Sequence, residues 1–342
     1  MSNNITFLLP IKDRIEFTKR FLSSFDYSYK IPIIISDGSL KSSEELKEII
    51  NAKPNILYKK FDFDKDYFTF LKKLKNSINL VDTDYVVLAC DDDFYFLDQV
   101  NEAVKFLENN HEFSMYKTAV KNFTISSGIT NYFNYGVYGN LKLTNDNYES
   151  FNEQIINDSV LERIKKKEDC YPYEGVFKTS ILKKALEIAV SVNCFHHNIF
   201  MDVLRYVILA NGKVYFNKKY IIARQSNNPI GEGTGLFDLN AKLKMKTSKE
   251  YFDIYKQISE KFEKLLPDLS DNNELSLIKD QILKNLENEI ERYRKEKAHK
   301  TFQSRNKIFK SLIFSFLRKG VFFINKNNVL DIANSINQKI NK

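Results

Sequence analysis

Four short apolar runs punctuate the first quarter of the chain, and each gives way to a polar turn. Ile5-Thr6-Phe7-Leu8-Leu9 stops at Pro10. Ile31 to Ile35 ends in Ser36-Asp37-Gly38-Ser39. Ile56-Leu57-Tyr58 is the third, and Tyr85-Val86-Val87-Leu88-Ala89-Cys90 runs directly into Asp91-Asp92-Asp93. Their length and β-branched content predict buried strands. The intervening segments have helical spacing: Ile15, Phe17, Phe21, Leu22 and Phe25 over 14–25, a Ser-Ser-Glu-Glu start over 42–51, and Phe70, Leu71, Leu74 and Ile78 over 67–80. Strand alternating with helix predicts a parallel α/β sheet with right-handed crossovers. Such sheets bind ligands at the carboxyl ends of their strands. Three of those ends are polar or acidic here: Lys12-Asp13-Arg14, Asp37-Gly38-Ser39 and Asp91-Asp92-Asp93.

The pattern then changes. A helix is predicted over 98–109. Short β-prone pieces follow over 113–145, with turns at Ser126-Ser127-Gly128 and Tyr138-Gly139-Asn140. Helices are predicted near 151–166, 179–192 and 198–210, and strands over Lys213–Phe216 and Tyr220–Ala223. Beyond 240 the pattern is almost wholly helical, with one stripe of Leu275, Ile278, Ile282, Leu286, Ile290 and Tyr293. No internal repeat is present.

Composition narrows the class. With 342 residues, 43% hydrophobic and 28% charged, the chain reads as a soluble globular protein of about two domains. The formal charge of +8 is unevenly placed. Residues 1–239 hold 30 basic and 31 acidic side chains, while 240–342 hold 22 and 13. This asymmetry suggests a body over 1–240 and a basic helical region over 241–342. Cys90, Cys170 and Cys194 form no CxxC pair, which argues against a zinc ribbon or a disulfide framework and favours a reducing, cytoplasmic setting. No signal-peptide layout and no membrane-length apolar run occurs. The stretch 300–325 mixes aromatic and basic residues. It suits peripheral contact with an anionic membrane at the inner face, and equally packing on the body or on a second copy as a homodimer.

The acidic triplet carries the sharpest chemistry. Adjacent carboxylates at a strand end repel one another, and a hard divalent ion with oxygen ligands relieves that cost. In an extended segment Asp91 and Asp93 would face one side and Asp92 the other. The plainer alternative is an acidic turn in which Asp93 caps the next helix.

The segment Thr83-Asp84-Tyr85-Val86-Val87-Leu88-Ala89-Cys90-Asp91-Asp92-Asp93-Phe94 resembles the DxD region of GT-A glycosyltransferases, especially bacterial family 2-like domains. Thr6 to Arg14 resembles that family's first strand and turn, and Ile33 to Ser39 its second strand. The resemblance covers roughly 5–240, most closely to about 95. It implies a GT-A, Rossmann-like, mostly parallel sheet flanked by helices, followed by a C-terminal helical region. It implies a nucleotide-sugar donor, a glycan or lipid-linked glycan acceptor of surface polysaccharide synthesis, and Mn²⁺ or Mg²⁺. By the same resemblance Asp37 faces the base, Asp91 lies near the ribose or metal, and Asp93 is the main metal ligand. Lys12 stands where many relatives carry an aromatic and Asp13 where many carry Asn. Lys12 or Arg14 would then meet a phosphate. Arg224, directly after an apolar run, would reach the diphosphate. Asp202 resembles the base of inverting members, and Glu174-Gly175-Val176-Phe177 resembles the segment beside sugar and acceptor.

Tyr132, Phe133, Tyr135 and Tyr138 offer stacking faces or strand core, and the Gly-rich loop 227–235 reads as a lid or a linker. His196 and His197 line a pocket or decorate a surface. Two other functions fit the same sequence less well. A sugar-phosphate nucleotidyltransferase would need a Gly-rich first loop, which Pro10 to Arg14 lacks. A nucleic-acid binder using the basic tail would show a recognised motif, and none is present.

Overall fold

The computed structural model describes residues 4–41, 43–53, 55–126, 136–144, 153–226, 249–262, 272–303 and 321–341. The chain divides into two compact units, Met1–Phe237 together with Phe322–Lys342, and Asp238–Val321.

The first unit opens with the predicted alternation: β1 (Ile5–Ile11), α1 (Ile15–Ser24), β2 (Ile33–Asp37), α2 (Glu44–Asn51), β3 (Ile56–Lys60), α3 (Tyr67–Ile78) and β4 (Tyr85–Leu88). β1 pairs in parallel with β2 and with β4, and β2 pairs in parallel with β3. Two helices start on capping side chains of the expected kind. The Ser43 hydroxyl accepts from Leu46 N at 3.2 Å, and the Asp66 carboxylate accepts from Thr69 N at 2.7 Å.

The first strand runs through Pro10, where the sequence suggested a stop. Even-numbered residues of β1 direct their backbone groups toward β4, and the β1–β4 register ends at Leu8↔Leu88. The missing N–H of Pro10 therefore falls where no partner strand remains, and costs no ladder bond.

The second half of the unit adds β5 (Phe94–Tyr95), α4 (Leu97–Asn109), β6 (Phe113–Ser126), β7 (Gly139–Leu143), α5 (Val160–Lys165), β8 (Gly175–Lys178), α6 (Thr179–Ser191), α7 (His197–Asn211) and β9 (Lys213–Gln225). The pieces expected over 113–145 are one 14-residue strand, β6, plus β7. The two strands expected over 213–223 are one, β9. Register shifts along the β6–β9 pair absorb the polar interruptions that made both look broken. β8 is antiparallel to β4 and β6, and so joins the parallel half of the sheet to β6. β9 is parallel to β6 and antiparallel to the short β5.

The region read as helical beyond 240 has an exception at its end. Residues 322–342 belong to the first unit. β10 (Val321–Ile324) lies beside β7, and α10 (Val329–Ile340) packs on α1. Ile324, Val329, Ala333 and Ile336 join Phe94, Phe96, Phe123 and Ile125 in one core cluster. The Asn341 amide clamps the backbone of Tyr220, accepting from its N at 2.8 Å and donating to its O at 3.1 Å. In the second unit α8 (Lys249–Phe262) packs against α9 (Asn272–Gln303), and the stripe residues Leu275, Ile278, Ile282 and Leu286 are buried. Among the described residues no helix is long and apolar enough to cross a membrane. The loop 227–235, residues 132–135 and most of the basic stretch 300–325 lie outside the described residues.

Gly175 is fixed by a close approach. A Cβ added there would sit 2.1 Å from the carbonyl oxygen of Tyr116. Gly175→Ala is expected to lower the unfolding free energy by about 1–3 kcal/mol, read as a fall in the midpoint of urea unfolding with an unchanged slope.

Candidate active site at the carboxyl end of β4

β4 delivers the acidic triplet into a turn instead of extending it. Asp93 N donates to Cys90 O at 3.4 Å, and β5 begins at the next residue. The alternation expected of an extended segment is therefore lost, and Asp91 and Asp93 go to different partners. The Asp91 carboxylate is 3.2 Å from the Arg14 guanidinium and accepts from the Thr18 hydroxyl at 3.4 Å. Arg14 also pairs with Asp92 at 3.1 Å and lies over the Phe17 ring. Asp93 turns toward β9, where it accepts from Gln225 N at 3.2 Å and faces Arg224 at 3.7 Å.

A third arginine holds the turn from beneath. Arg20 on α1 is fully buried. It donates to Asp92 O at 2.6 Å, to the Gln225 side-chain oxygen at 2.8 Å and to Val137 O at 3.0 Å. Its guanidinium lies over Phe17 and Phe94. Burial pulls its pKa down to about 10, against the attraction of Asp92, Asp91 and Asp93.

Even so, burial outweighs the three arginines at Asp91 and Asp93. Burial, opposed by Arg14, pushes Asp91 up to about 7. Burial, aided by the Asp92 charge, pushes Asp93 up to about 8. Cys90, Asp92 and Asp93 each offer a ligand atom, all within 4.8 Å of one another. Burial raises the Cys90 thiol well above its usual range, so at neutral pH it stays uncharged and is a weak ligand. A buried carboxylate, Asp93, beside a partly buried one, Asp92, would suit a hard ion of the Mg²⁺ or Mn²⁺ kind. The pair brought together is Asp92 with Asp93, whereas the sequence suggested Asp91 with Asp93.

The neighbouring strand ends are knitted to each other. Asp37 ends β2 buried, accepting from Ser39 N at 2.7 Å and from the Tyr58 hydroxyl at 2.6 Å. Asp13, at a positive φ of 52°, donates its N–H to the Ser39 hydroxyl oxygen at 2.7 Å, and its carboxylate accepts from Leu40 N at 3.0 Å. The Lys12 ammonium lies 4.9 Å from the Phe63 ring centroid. A Cβ on Gly38 would collide with the Asp64 carboxylate, and Asp64 is itself paired with the buried Lys73 at 2.5 Å.

Asp202 lies on α7 in a buried ion triad. One carboxylate oxygen is 3.0 Å from Lys167 Nζ, and the other accepts from Arg205 at 3.1 Å. Arg205 also donates to Cys170 O at 2.9 Å and stacks on Tyr171. The triad thus fastens α7 to the segment 167–174. Glu174, at the end of that segment, faces Arg224 at 3.5 Å and Lys117 at 3.7 Å. Arg224 stands between Asp93 and Glu174, which together raise its pKa against the effect of burial. His197 packs on Tyr173, with ring centroids 6.0 Å apart, and its Nδ1 meets the Tyr67 hydroxyl at 3.3 Å. His196 caps α7 through its side chain.

Of the sequence candidates, Arg14, Asp91, Asp93 and Arg224 converge here. Asp37 and Lys12 sit on the adjoining loops, and Asp202 serves the triad. Arg20 and the Asp92 carboxylate were missed. Arg20 had a readable signal, because a charge sits in the apolar stripe of Phe17 and Phe21 on α1.

A parallel β3-β2-β1-β4 half, antiparallel strands beyond it and an acidic turn after β4 make a GT-A-like glycosyltransferase fold. Among solved structures the chain is similar to S. aureus TarS. The crystal structure of TarS 1–349 in complex with UDP-GlcNAc matches with a TM-score of 0.53 at 11% identity, over 99% of this chain and 82% of that one. A longer TarS crystal structure matches with a TM-score of 0.50 at 12% identity, over 83% of this chain. This chain spans 43% of that longer chain's length. No protein-family model matches the sequence, and no curated protein matches it.

Asp202→Ala would leave Lys167 and Arg205 buried without their shared carboxylate. A loss of about 3–5 kcal/mol of stability is expected, measured by chemical unfolding. A variant as stable as the parent would show that the triad is not what fastens α7.

Proposed function

We propose that the chain is a metal-dependent glycosyltransferase that moves a sugar from a nucleotide-sugar onto a hydroxyl acceptor. The observation that carries this reading is the acidic turn. Three successive carboxylates lie at the carboxyl end of β4 in a GT-A-like fold, with ligand atoms of Asp92 and Asp93 among those within 4.8 Å. The complex of the TarS fragment with UDP-GlcNAc supports a UDP-sugar as the donor to test first.

Asp92 and Asp93 would hold Mn²⁺ or Mg²⁺, which stabilises the charge developing on a leaving diphosphate. The chain's own residues do the rest. Arg14 holds Asp91 and Asp92 in place. Arg224, beside Asp93, would meet a diphosphate oxygen. The Asp37 loop, with Lys12 over Phe63, frames the space for the base and its phosphates. Inversion at the anomeric carbon, a glycan or lipid-linked glycan acceptor, and peripheral membrane contact through the basic C-terminal stretch complete the proposal. The turn after β1 has no Gly-rich phosphate loop, which favours glycosyl transfer over nucleotidyl transfer.

The test is thermal stabilisation by UDP-, GDP-, CMP- and dTDP-sugars with and without Mn²⁺. One nucleotide class should raise the melting temperature only with Mn²⁺, by an amount equivalent to about 2.7 kcal/mol at a hundred times Kd. Asp93→Ala should abolish the rise while the unliganded protein stays folded. A rise that needs no Mn²⁺ and survives Asp93→Ala would remove the metal from the proposal. Indifference to every donor would remove the glycosyltransferase reading.

A further inference from the structure

We infer that Arg14 is the resident counter-ion of the acidic turn, and that it yields Asp92 to the metal only when a nucleoside diphosphate arrives to receive its guanidinium. This rests on the metal-dependent glycosyltransferase reading and adds to it the order in which metal and nucleotide are taken up.

Arg14 is an unusual residue for its position. It stands at the N-cap of α1, where a short polar side chain ordinarily accepts from the first N–H groups, and its own side chain makes no such bond. A cation there also faces the positive end of the helix dipole. The acidic turn is what holds it. A single nitrogen, Nη2, stands 3.2 Å from Asp91 and 3.1 Å from Asp92. Arginine grips a carboxylate most firmly with two parallel N–H bonds, and that fork is not made here. Nε and Nη2 are both buried, and neither makes an aligned hydrogen bond with a described residue. The guanidinium rests instead over Phe17, with its central carbon 4.4 Å from the ring centroid. Charge holds this side chain, and directed bonds do not. Arg20 is the contrast, fixed beneath the turn by three hydrogen bonds.

The backbone on either side of the Arg14 side chain is pinned. Asp13 is tied to Ser39 and Leu40, and Arg14 O accepts from Thr18 N at 3.0 Å and Thr18 Oγ1 at 3.1 Å. Movement is therefore left to the side chain alone.

Asp92 is where two cations would collide. Arg14 is paired with its carboxylate, and the same carboxylate offers one of the three ligand atoms within 4.8 Å of one another. A divalent ion on Asp92 and Asp93 would repel a guanidinium on the same group at close range. In the nucleotide-free protein Arg14 thus competes with the metal. A diphosphate reverses the balance. Arg14 lies three residues past β1 and Asp91 three past β4, and these paired strands flank the point where the order β3-β2-β1-β4 changes direction. Ligands of open α/β sheets enter at that point. A phosphate oxygen pair there gives Arg14 the two-pronged bond that it lacks. Arg20 stays on its hydrogen bonds and holds the backbone of the turn during the exchange.

The test reads metal binding and not turnover. Manganous chloride is titrated into the protein with and without UDP, or with the diphosphate of whichever nucleotide class raises the melting temperature, and free Mn²⁺ is followed by electron paramagnetic resonance. Wild type should bind Mn²⁺ about tenfold or more tightly with the diphosphate than without it. Arg14→Gln should bind Mn²⁺ about tenfold more tightly than wild type when no nucleotide is present, and the gain from adding the diphosphate should shrink by a similar factor. A role confined to shaping the turn predicts weaker Mn²⁺ binding by Arg14→Gln, and that result or an unchanged affinity would overturn the inference. A general effect of net charge would tighten both titrations alike and leave the gain intact, which would overturn it too. So would a wild-type affinity for Mn²⁺ that ignores the diphosphate, a result that needs no variant. Wild-type protein that binds Mn²⁺ under neither condition would overturn the metal-dependent reading and this inference with it. Mn²⁺ bound with the diphosphate, without tightening in nucleotide-free Arg14→Gln, would overturn this inference alone.

Discussion

Burying three successive carboxylates is the constraint around which the carboxyl end of this sheet is built. No single partner could meet it, so the charge is divided. Arg14 takes Asp91 and Asp92, Arg224 takes Asp93, and Arg20 holds the backbone of the turn while its charge acts on all three side chains. Arg14 stands at the N-terminus of α1, Arg20 lies within it, and Arg224 comes from the end of β9. The parallel half of the sheet and the antiparallel half therefore meet at the turn. Gln225 completes the closure by giving its N–H to Asp93 and its side-chain oxygen to Arg20. Burial still outweighs these partners at Asp91 and Asp93, whose proton affinities stay raised.

The same economy governs the far side of the site. The triad of Lys167, Asp202 and Arg205 is costly to desolvate, and such groups are rarely worth much as stabilisers. Its value here is geometric. It joins α7, the 167–174 segment and Tyr171 into one body whose last residue, Glu174, faces Arg224. Charge thus runs from the acidic turn through Arg224 to a second carboxylate in a fixed relation to the first.

Much of this could be read in the sequence, for physical reasons that differ by element. β1, β2 and β4 are buried on both faces, so their apolar runs are continuous and their ends are sharp. The polar clusters at those ends were therefore visible as a set. β6 and β9 are long, twisted and irregular in register, and they carry Lys117, Thr118 and Asn122 in buried positions, so they appeared as fragments. β8 has four residues and no periodicity to read. Within the site, residue types were legible and their directions were not. Whether Asp91 or Asp92 joins Asp93 depends on a turn in place of one more strand residue. Whether Asp202 is open or paired depends on Lys167, a residue 35 positions away in the chain.

The hydrophobic backing of the acidic turn has a consequence for how the protein is made. Phe94, Phe96 and Phe123 share their core with Ile324, Val329, Ala333 and Ile336. Translation delivers the phenylalanines well before these partners, with the whole second unit in between. A nascent chain therefore carries an apolar face directly behind its three aspartates until those partners emerge. Such surfaces are what chaperones recognise and what aggregates. The acidic turn precedes these core partners in sequence, and it would become rigid only after they arrive.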